Sequence, residues 1–133
     1  MSTLSLNCES EIHEIINRET SAWNQKSVAL LLSVFHSDMV WVWPTDSQKH
    51  DPLTWTSHLG KFDQERWTTV YNNWFSTFEL VRNDRKTLKI FVAKQEDGAF
   101  AVVDVDTLWR SESGEESHWF GRTCKTYTKT SDG

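Results

Sequence analysis

A chain of 133 residues with a net charge of −5, from 14 Lys and Arg against 19 Asp and Glu, predicts one domain that buries its own core. The acidic balance argues against a nucleic-acid-binding protein, because binding to phosphates requires an excess of positive charge. No apolar run approaches the length of a membrane span, and the first residues include neither a basic leader nor a long apolar region, so neither a transmembrane helix nor a signal peptide is expected.

Two helices are predicted in the N-terminal quarter of the chain. Residues 1–8 are expected to be a loose lead-in, and Asn7 or Ser10 to cap the first helix. Glu19 is the one polar side chain on the apolar stripe of that helix. It lies either at the edge of the stripe, in contact with solvent, or beneath the helix, where it points into a pocket. The apolar stripe of the first helix consists of Ile12, Ile15, Ile16, Ala22 and Trp23.

A second, shorter helix begins at Ser27 and continues to residue 35.

A short strand and a short helix are predicted next. Residues 39–43 alternate as a strand does, which puts Trp41 and Trp43 on one face, and Pro44 ends the strand or places it at a sheet edge. Asp51 and Pro52 combine a capping acid with a proline at the first helical position, so a short helix is expected from there to about residue 59.

The longest predicted helix begins after Asp63, a capping residue. Its apolar residues recur at helical spacing and most of them are aromatic, so this helix is expected to pack on the sheet through large rings. These residues are Trp67, Val70, Tyr71, Trp74, Phe75 and Phe78.

Three long antiparallel strands are predicted between residues 79 and 129. Residues 87–93 alternate and end at the turn signal Glu96-Asp97-Gly98. Residues 98–110 form the second strand, and a polar stretch at 111–116 leads into the third. Strands of this length form a twisted sheet, of which a small domain must cover at least one face. We therefore expect a single α+β domain over residues 1–133, with N-terminal and central helices packed on one face of a curved antiparallel sheet and with loose ends at 1–8 and 129–133.

Three sequence stretches carry a resemblance to a known family. They are M-V-W-V-W-P at 39–44, D-V-D-T-L-W at 104–109 and H-W-F-G-R-T-C-K-T-Y at 118–127. With the order of the elements, they resemble the nuclear transport factor 2-like superfamily, whose cone-shaped, cystatin-like fold is shared by ketosteroid isomerase, scytalone dehydratase and the SnoaL-like polyketide cyclases. The resemblance covers residues 9–129 and includes no catalytic signature. Within the superfamily the chain is most similar to small bacterial stand-alone domains of unassigned activity.

One departure from the family concerns the end of the sheet. Family members usually continue past a Ser-Asp-Gly-like turn into a Trp-Lys strand, whereas this sequence stops at Gly133. Either the chain is truncated, or residues 39–43 pair with residues 119–127, or a partner chain fills the gap, because an open gap exposes backbone hydrogen-bonding groups.

The aromatic content exceeds what a plain core of this size needs. Eight tryptophans, seven phenylalanines and two tyrosines predict a lined cavity, a subunit interface or both, and for any single ring a place in the core or a dimer interface is the simpler interpretation. The candidate ligand-binding residues are Trp41, Trp43, Trp55, Trp67, Tyr71, Trp74, Trp109, Trp119 and Arg122.

Asp104 and Asp106 are the candidate catalytic carboxylates. They share one face of the second strand, since strand side chains alternate, and the neighbouring valines lie on the other face. If the valines face the helices, both aspartates lie outside, where they pair across strands with Lys89 or Arg122. In the opposite register they lie inside an aromatic-walled cavity, where desolvation and mutual repulsion raise at least one pKa and allow acid–base chemistry.

His50 and His118 are the candidate partners of these carboxylates. His50 is either an exposed turn residue or a proton carrier at the mouth of the hollow. His118 is either a half-exposed strand residue or points at a ligand, and Arg122 is either half of a cross-strand ion pair or an inward fork for a carboxylate. In the related isomerases and dehydratases a carboxylate with His or Tyr inside the cone moves the proton, and the resemblance implies such chemistry here, although no motif is matched residue by residue.

No metal or other cofactor is expected. The five histidines lack zinc-site spacing, and the sequence contains neither a glycine-rich phosphate loop nor a nucleophile elbow. The two cysteines, Cys8 and Cys124, are too few for a disulfide framework, so both are expected to be thiols in a reducing cytoplasm.

Three functions follow as hypotheses. The first is a small domain that binds an apolar or aromatic molecule in an aromatic-lined pocket, as a homodimer and without nucleic-acid or membrane partners. The alternative is a cofactor-independent isomerase, dehydratase or cyclase that uses an Asp/His acid–base pair, and a further alternative is an oligomerisation domain without a ligand. Binding is preferred, because catalysis needs convergent groups that only the resemblance brings together.

Overall fold

The computed structural model describes residues 3–42, 51–57 and 59–131. Its helices are α1 (Thr3–Gln25), α2 (Val28–Leu32), a 3-10 helix (Pro52–Thr54) and α3 (Gln64–Thr77), and its strands are β1 (Phe78–Val92), β2 (Gly98–Ser111) and β3 (Glu116–Thr128). The strands form one antiparallel sheet in the order β1-β2-β3. The described helices include none that is long and apolar enough to cross a bilayer.

Two helices begin where the capping residues predict. The backbone N–H of Leu30 donates to the Ser27 hydroxyl at 3.3 Å, and the N–H of Arg66 donates to the Asp63 carboxylate at 2.8 Å. These side chains satisfy amides that the first turn of a helix leaves without a partner.

Helix α1 begins earlier than the sequence predicts. It starts at Thr3 rather than at Asn7 or Ser10, so the expectation of a loose lead-in over residues 1–8 is wrong from Thr3 onward. Cys8, one helical turn before Ile12, is buried with it. The apolar stripe therefore extends one turn further toward the N-terminus, and burial of that turn favours helix over the competing cap.

The segment between α2 and α3 has less regular structure than expected. In place of a strand at 39–43, the described residues form one isolated antiparallel bridge between Val40 and Lys61, and Trp43 lies outside the described part of the chain. Asp51 does cap a helix, since its carboxylate accepts from the N–H of Leu53 at 3.0 Å. That helix ends at Thr54 instead of residue 59, because Trp55 adopts an extended backbone.

Strand β1 starts at the beginning of the predicted strand region and includes residues before the alternating run at 87–93. It begins directly after α3 and skips register at Val81 and Leu88, where β1 has an extra residue relative to β2. Such bulges bend a strand and interrupt its alternation. Before residue 87 the sequence does not alternate between apolar and polar residues, because β1 has a bulge and because the polar side chains of Asn83 and Arg85 face the helices.

The sheet has an inner face, toward the helices, and an outer face. Along β2 the buried side chains are Ala101, Val103, Val105, Thr107 and Trp109, which therefore lie on the inner face. The core beneath the helices comprises two groups of buried residues. One is an aromatic cluster that includes Trp23, Trp67, Tyr71, Phe75 and Trp109. The other is an aliphatic cluster of Ile12, Ile16, Ala101, Val103 and Val105.

Candidate functional site

Asp104 and Asp106 lie on the outer face of the sheet, as the first of the two alternatives predicts. The Asp104 carboxylate accepts hydrogen bonds from Nε and Nη2 of Arg122 at 2.8 and 3.2 Å. The Asp106 carboxylate accepts a hydrogen bond from Nη2 of Arg82 at 3.0 Å and lies 2.7 Å from Nε2 of His118. The predicted pairing with Arg122 is confirmed for Asp104, whereas Arg82 and not Lys89 pairs with Asp106.

The pKa values of Asp104 and Asp106 are lowered, whereas burial raises the pKa of a carboxyl group. The hydrogen bond from Arg122 lowers the pKa of Asp104, and the hydrogen bonds from Arg82 and then His118 lower the pKa of Asp106. Both carboxylates are therefore ionised near neutral pH and are weak bases. The structure brings His118 and Asp106 together, but on the outer face and not in a hollow beneath the helices. His50 lies outside the described residues.

Most of the tryptophans proposed as pocket walls pack against other rings. Trp67 meets Phe35 and Phe62 edge-on at centroid distances of 5.3 and 5.2 Å, and Trp109 stacks on Phe75 at 5.9 Å. Trp41, Tyr71 and Trp74 take part in the same network of aromatic contacts. Edge-to-face and offset stacking are the preferred geometries of closely packed rings. Within the described residues these side chains fill the core.

The remaining predicted ligand-binding residues lie apart from one another. Trp55 follows the 3-10 helix and is exposed, and Arg122 lies on the outer face beside Asp104. Trp119 is on the inner face, since it pairs with Thr107, and 37% of it is exposed. A groove of about 480 Å³ runs along the outer face, where its walls include the ion pair of Asp104 and Arg122.

A charged cluster is buried between α1 and the inner face. Glu19 of α1 accepts from Nη1 of Arg85, on β1, at 2.8 Å. It also accepts from Nζ of Lys125, on β3, at 3.0 and 3.1 Å, and from the indole N–H of Trp23 at 3.0 Å. Only 9%, 11% and 17% of the side chains of Glu19, Arg85 and Lys125 are exposed. We call these three residues the charged cluster.

A second layer of hydrogen bonds holds the charged cluster in place. Arg85 donates from Nε to the side-chain oxygen of Asn83 at 2.9 Å. The same oxygen accepts from the hydroxyl of Thr107, and the Asn83 amide donates to Asn24, both at 2.9 Å. The Arg85 guanidinium is thus held from two sides, by Glu19 and by Asn83.

The carboxylate of the charged cluster is ionised. Burial by itself raises the pKa of Glu19, but Lys125 and Arg85 together more than offset burial and leave that pKa below its usual range. One carboxylate and two cations give the cluster a net charge of +1. Burial, followed by the negative charge of Glu19, raises the pKa of the Tyr127 hydroxyl, so this group stays protonated. Its oxygen is buried and has no hydrogen-bond partner among the described residues.

Beside the charged cluster, the described residues leave part of the inner face uncovered. Trp119, Gly121, Thr123 and Lys125 succeed one another on the inner face of β3, opposite buried residues of β2. A Cβ atom added at Gly121 would meet no other described atom within 4 Å. An exposed indole ring, a glycine and a lysine side chain that is 17% exposed therefore lie in this order on the inner face of one strand.

Sequence reasoning identified one residue of this cluster. Glu19 is conspicuous as the polar position on an apolar stripe, and its burial places the carboxylate beneath the helix, as the second alternative predicts, while the pocket of that alternative stays a prediction. Arg85 and Lys125 carried no comparable signal, because both stand in strands where charged residues are frequent and only the register shows which face they occupy. Among the described residues, no three His, Cys, Asp or Glu side chains come close enough to hold a metal ion.

Comparisons with known proteins support the fold and leave the activity open. No protein-family model matches the sequence, and no curated protein matches it. A solved structure described as a ketosteroid isomerase-like protein from Erwinia carotovora atroseptica SCRI1043 superposes with a TM-score of 0.66 at 14% sequence identity, over 92% of this chain and 84% of that one. An identity this low is evidence for the fold alone. The chain therefore has the ketosteroid isomerase-like fold, also called nuclear transport factor 2-like, that the resemblance of its sequence implies.

Proposed function

We propose that this domain binds a small molecule on the inner face of the sheet, against the charged cluster of Glu19, Arg85 and Lys125. The observation that carries the proposal is the imbalance of buried charge. One carboxylate needs one cation to form an ion pair, whereas Glu19 has two within 3.1 Å. Burying an unbalanced charge is unfavourable for a purely structural cluster and is a common feature of binding sites.

The same groups support binding without chemical conversion. A carboxylate with a lowered pKa, such as that of Glu19, is a weak base. The hydroxyls of Tyr71 and Tyr127, whose pKa values burial raises, are weak acids. Acid–base catalysis needs a group whose pKa lies near the working pH. We therefore favour a binding domain over an isomerase, dehydratase or cyclase.

The expected ligand has an apolar or aromatic body. Trp119 is a large ring on the inner face of the strand that carries Lys125, and 37% of Trp119 is exposed. In place of the expected aromatic-lined pocket, we propose a site formed by the Trp119 ring and the charged cluster. The other described tryptophans of the aromatic cluster pack against neighbouring rings.

Nuclear magnetic resonance of the ¹⁵N-labelled protein tests this function. A panel of one- and two-ring aromatic fragments, neutral and anionic, is titrated while backbone and indole N–H signals are followed. We expect shifts at Trp119, Gly121 and Thr123, and small changes at Phe120 and Cys124, which lie on the outer face of the same strand. Shifts confined to the outer-face pair, or none with any fragment, would rule out the inner-face site.

We also propose that two copies of the chain associate through the outer face. On it, Phe91 and Phe100 stack at 4.7 Å and remain 45% and 39% exposed, and 77% of Phe120 is exposed. Exposed rings on one sheet face are typical of an interface. The outer face also carries both signs of charge, including Asp104 and Arg122, so a second copy related by a two-fold axis can offer complementary charges.

Replacing Phe120 with serine should weaken this dimer. The substitution removes the most exposed large ring of the outer face, and we expect the dimer dissociation constant, measured by sedimentation equilibrium, to rise about tenfold or more. Leu53→Ser is the matched control, because Leu53 is 92% exposed and lies outside the sheet. A monomeric wild-type protein, or equal weakening by both substitutions, would contradict the proposal.

We propose a cytoplasmic location for the protein. Both Cys8 and Cys124 are free thiols, which is the usual state in a reducing compartment.

A further inference from the structure

The net charge of the charged cluster indicates which kind of ligand fits it. The guanidinium of Arg85 cannot lose its proton in a protein, so its charge is permanent. Glu19 is the carboxylate within ion-pair distance of both Arg85 and Lys125, and the described residues bring no second carboxylate to either cation. A group with one negative charge would neutralise the cluster, whereas a neutral group would leave the excess and a cation would increase it.

Donor groups around the cluster have capacity for such an anion. Within the described residues Arg85 uses Nε for Asn83 and Nη1 for Glu19, out of five N–H donors on the guanidinium. Lys125 carries three donors on Nζ, which contacts the two oxygens of Glu19. The buried hydroxyl of Tyr127 has no described partner and lies close enough for Glu19 and Arg85 to influence its pKa. A carboxylate can accept several such hydrogen bonds at once.

The position of Trp119 determines the rest of the ligand. Trp119 and Lys125 lie on the same face of β3, with Gly121 and Thr123 between them. The described residues leave space over Gly121, and a flat group that rests on the indole ring would fit there. An anionic group at one end and an aromatic ring at the other therefore match the order of the side chains along the strand.

We infer that the ligand of the inner face is an aromatic monocarboxylate, whose carboxylate binds Lys125, Arg85 and the Tyr127 hydroxyl and whose ring lies on Trp119. This inference rests on the proposed function, because it names the chemical class bound at the same site.

A matched pair of probes tests it. Titration with 2-naphthoate and 2-naphthamide, which have the same ring system and differ in charge, is followed by Trp119 and Gly121 shifts. In the wild-type protein we expect the carboxylate to bind about tenfold more tightly than the amide, since hydrogen bonds to a charged acceptor are the stronger ones. Equal binding of both probes on the inner face would overturn the aromatic monocarboxylate and leave the proposed function intact. Binding of neither probe would overturn the aromatic monocarboxylate and leave the proposed function to the fragment panel, whereas carboxylate-selective shifts confined to outer-face residues would overturn both.

Substitutions assign the selectivity to the cluster. We expect Lys125→Met to reduce the preference for 2-naphthoate severalfold and Lys125→Arg to retain most of it. Arg122→Met is the matched control, because Arg122 is a cation of the same strand on the outer face, and it should leave the preference unchanged. Tyr127→Phe keeps the ring and removes only the hydroxyl, so it should weaken 2-naphthoate and spare 2-naphthamide even if Lys125→Met fails to fold. A preference that persists in both Lys125→Met and Tyr127→Phe would overturn the inference.

Discussion

Replacing Glu19 with glutamine is expected to lower the free energy of unfolding by about 3 kcal/mol, because it leaves two buried cations without their carboxylate. Arg85 and Lys125 donate to Glu19 from distances of 2.8 to 3.1 Å, and all three side chains are largely buried. Glutamine preserves the length of the side chain and can still accept from Trp23. The loss therefore measures charge and not shape. Urea denaturation followed by tryptophan fluorescence provides the measurement.

The control for this substitution stands on the same helix. Glu14 also pairs with an arginine, Arg18, at 2.6 Å, but more than half of the Glu14 side chain is exposed. Surface ion pairs contribute little, so Glu14→Gln should cost less than about 1 kcal/mol. Similar losses for the two substitutions would show that the charged cluster is not a buried ion pair.

Acidification should reduce the difference between wild-type protein and Glu19→Gln. The pKa of Glu19 in the folded chain lies below its usual range, and an unfolded glutamate has a pKa of about 4.3. A depressed folded-state pKa contributes stability that is fully present above the unfolded pKa and is lost as the pH falls through the folded one. We expect the gap in free energy of unfolding to be largest near neutral pH and to narrow below about pH 4. A gap that widens with acid would contradict the direction of the pKa shift.

Truncation of Trp67 to alanine is expected to have an effect of similar size, about 3–5 kcal/mol of unfolding free energy. Trp67 has no exposed surface, and its ring lies within 5.3 Å of the centroids of Phe35 and Phe62. Alanine would leave a cavity among these rings and would remove the indole N–H that donates to the Leu59 carbonyl at 3.1 Å, although that carbonyl keeps its hydrogen bond from Nε of Arg66 at 2.9 Å.

Two further variants separate these contributions. Trp67→Phe keeps most of the ring and removes the N–H, so it should cost about 0.5–1.5 kcal/mol, the net contribution of one hydrogen bond. Leu53→Ala changes an exposed apolar side chain and should alter stability by less than about 0.5 kcal/mol. A loss below about 1 kcal/mol for Trp67→Ala would mean that the rings enclose space. In that case the aromatic-lined pocket expected from composition would regain support.

Local patterns in the sequence were sufficient for much of the fold. The capping residues Ser27 and Asp63 mark the starts of α2 and α3, and the turn signal ending at Gly98 marks the hairpin between β1 and β2. These features depend on interactions within a few residues, and a sequence window contains all the partners involved. The helix expected at 51–59 ends at Thr54, and the strand expected at 39–43 is one bridge in the described residues. The partner of that bridge, Lys61, lies outside the sequence window from which the strand was predicted.

By itself, the sequence determined that Asp104 and Asp106 share a face, that Glu19 interrupts an apolar stripe, and that large rings recur along α3. It could not determine which face of the sheet meets the helices, because a strand pattern reads equally well in either orientation and a shift of one residue exchanges the two faces. Tertiary structure decided that the aspartates lie outside, that the tryptophans of the aromatic cluster fill space, and that Arg85 and Lys125, 40 positions apart in the chain, meet Glu19 beneath α1. The physical reason is that the register of three strands, with two bulges in β1, places each charge, and register is a property of paired strands that no single strand carries.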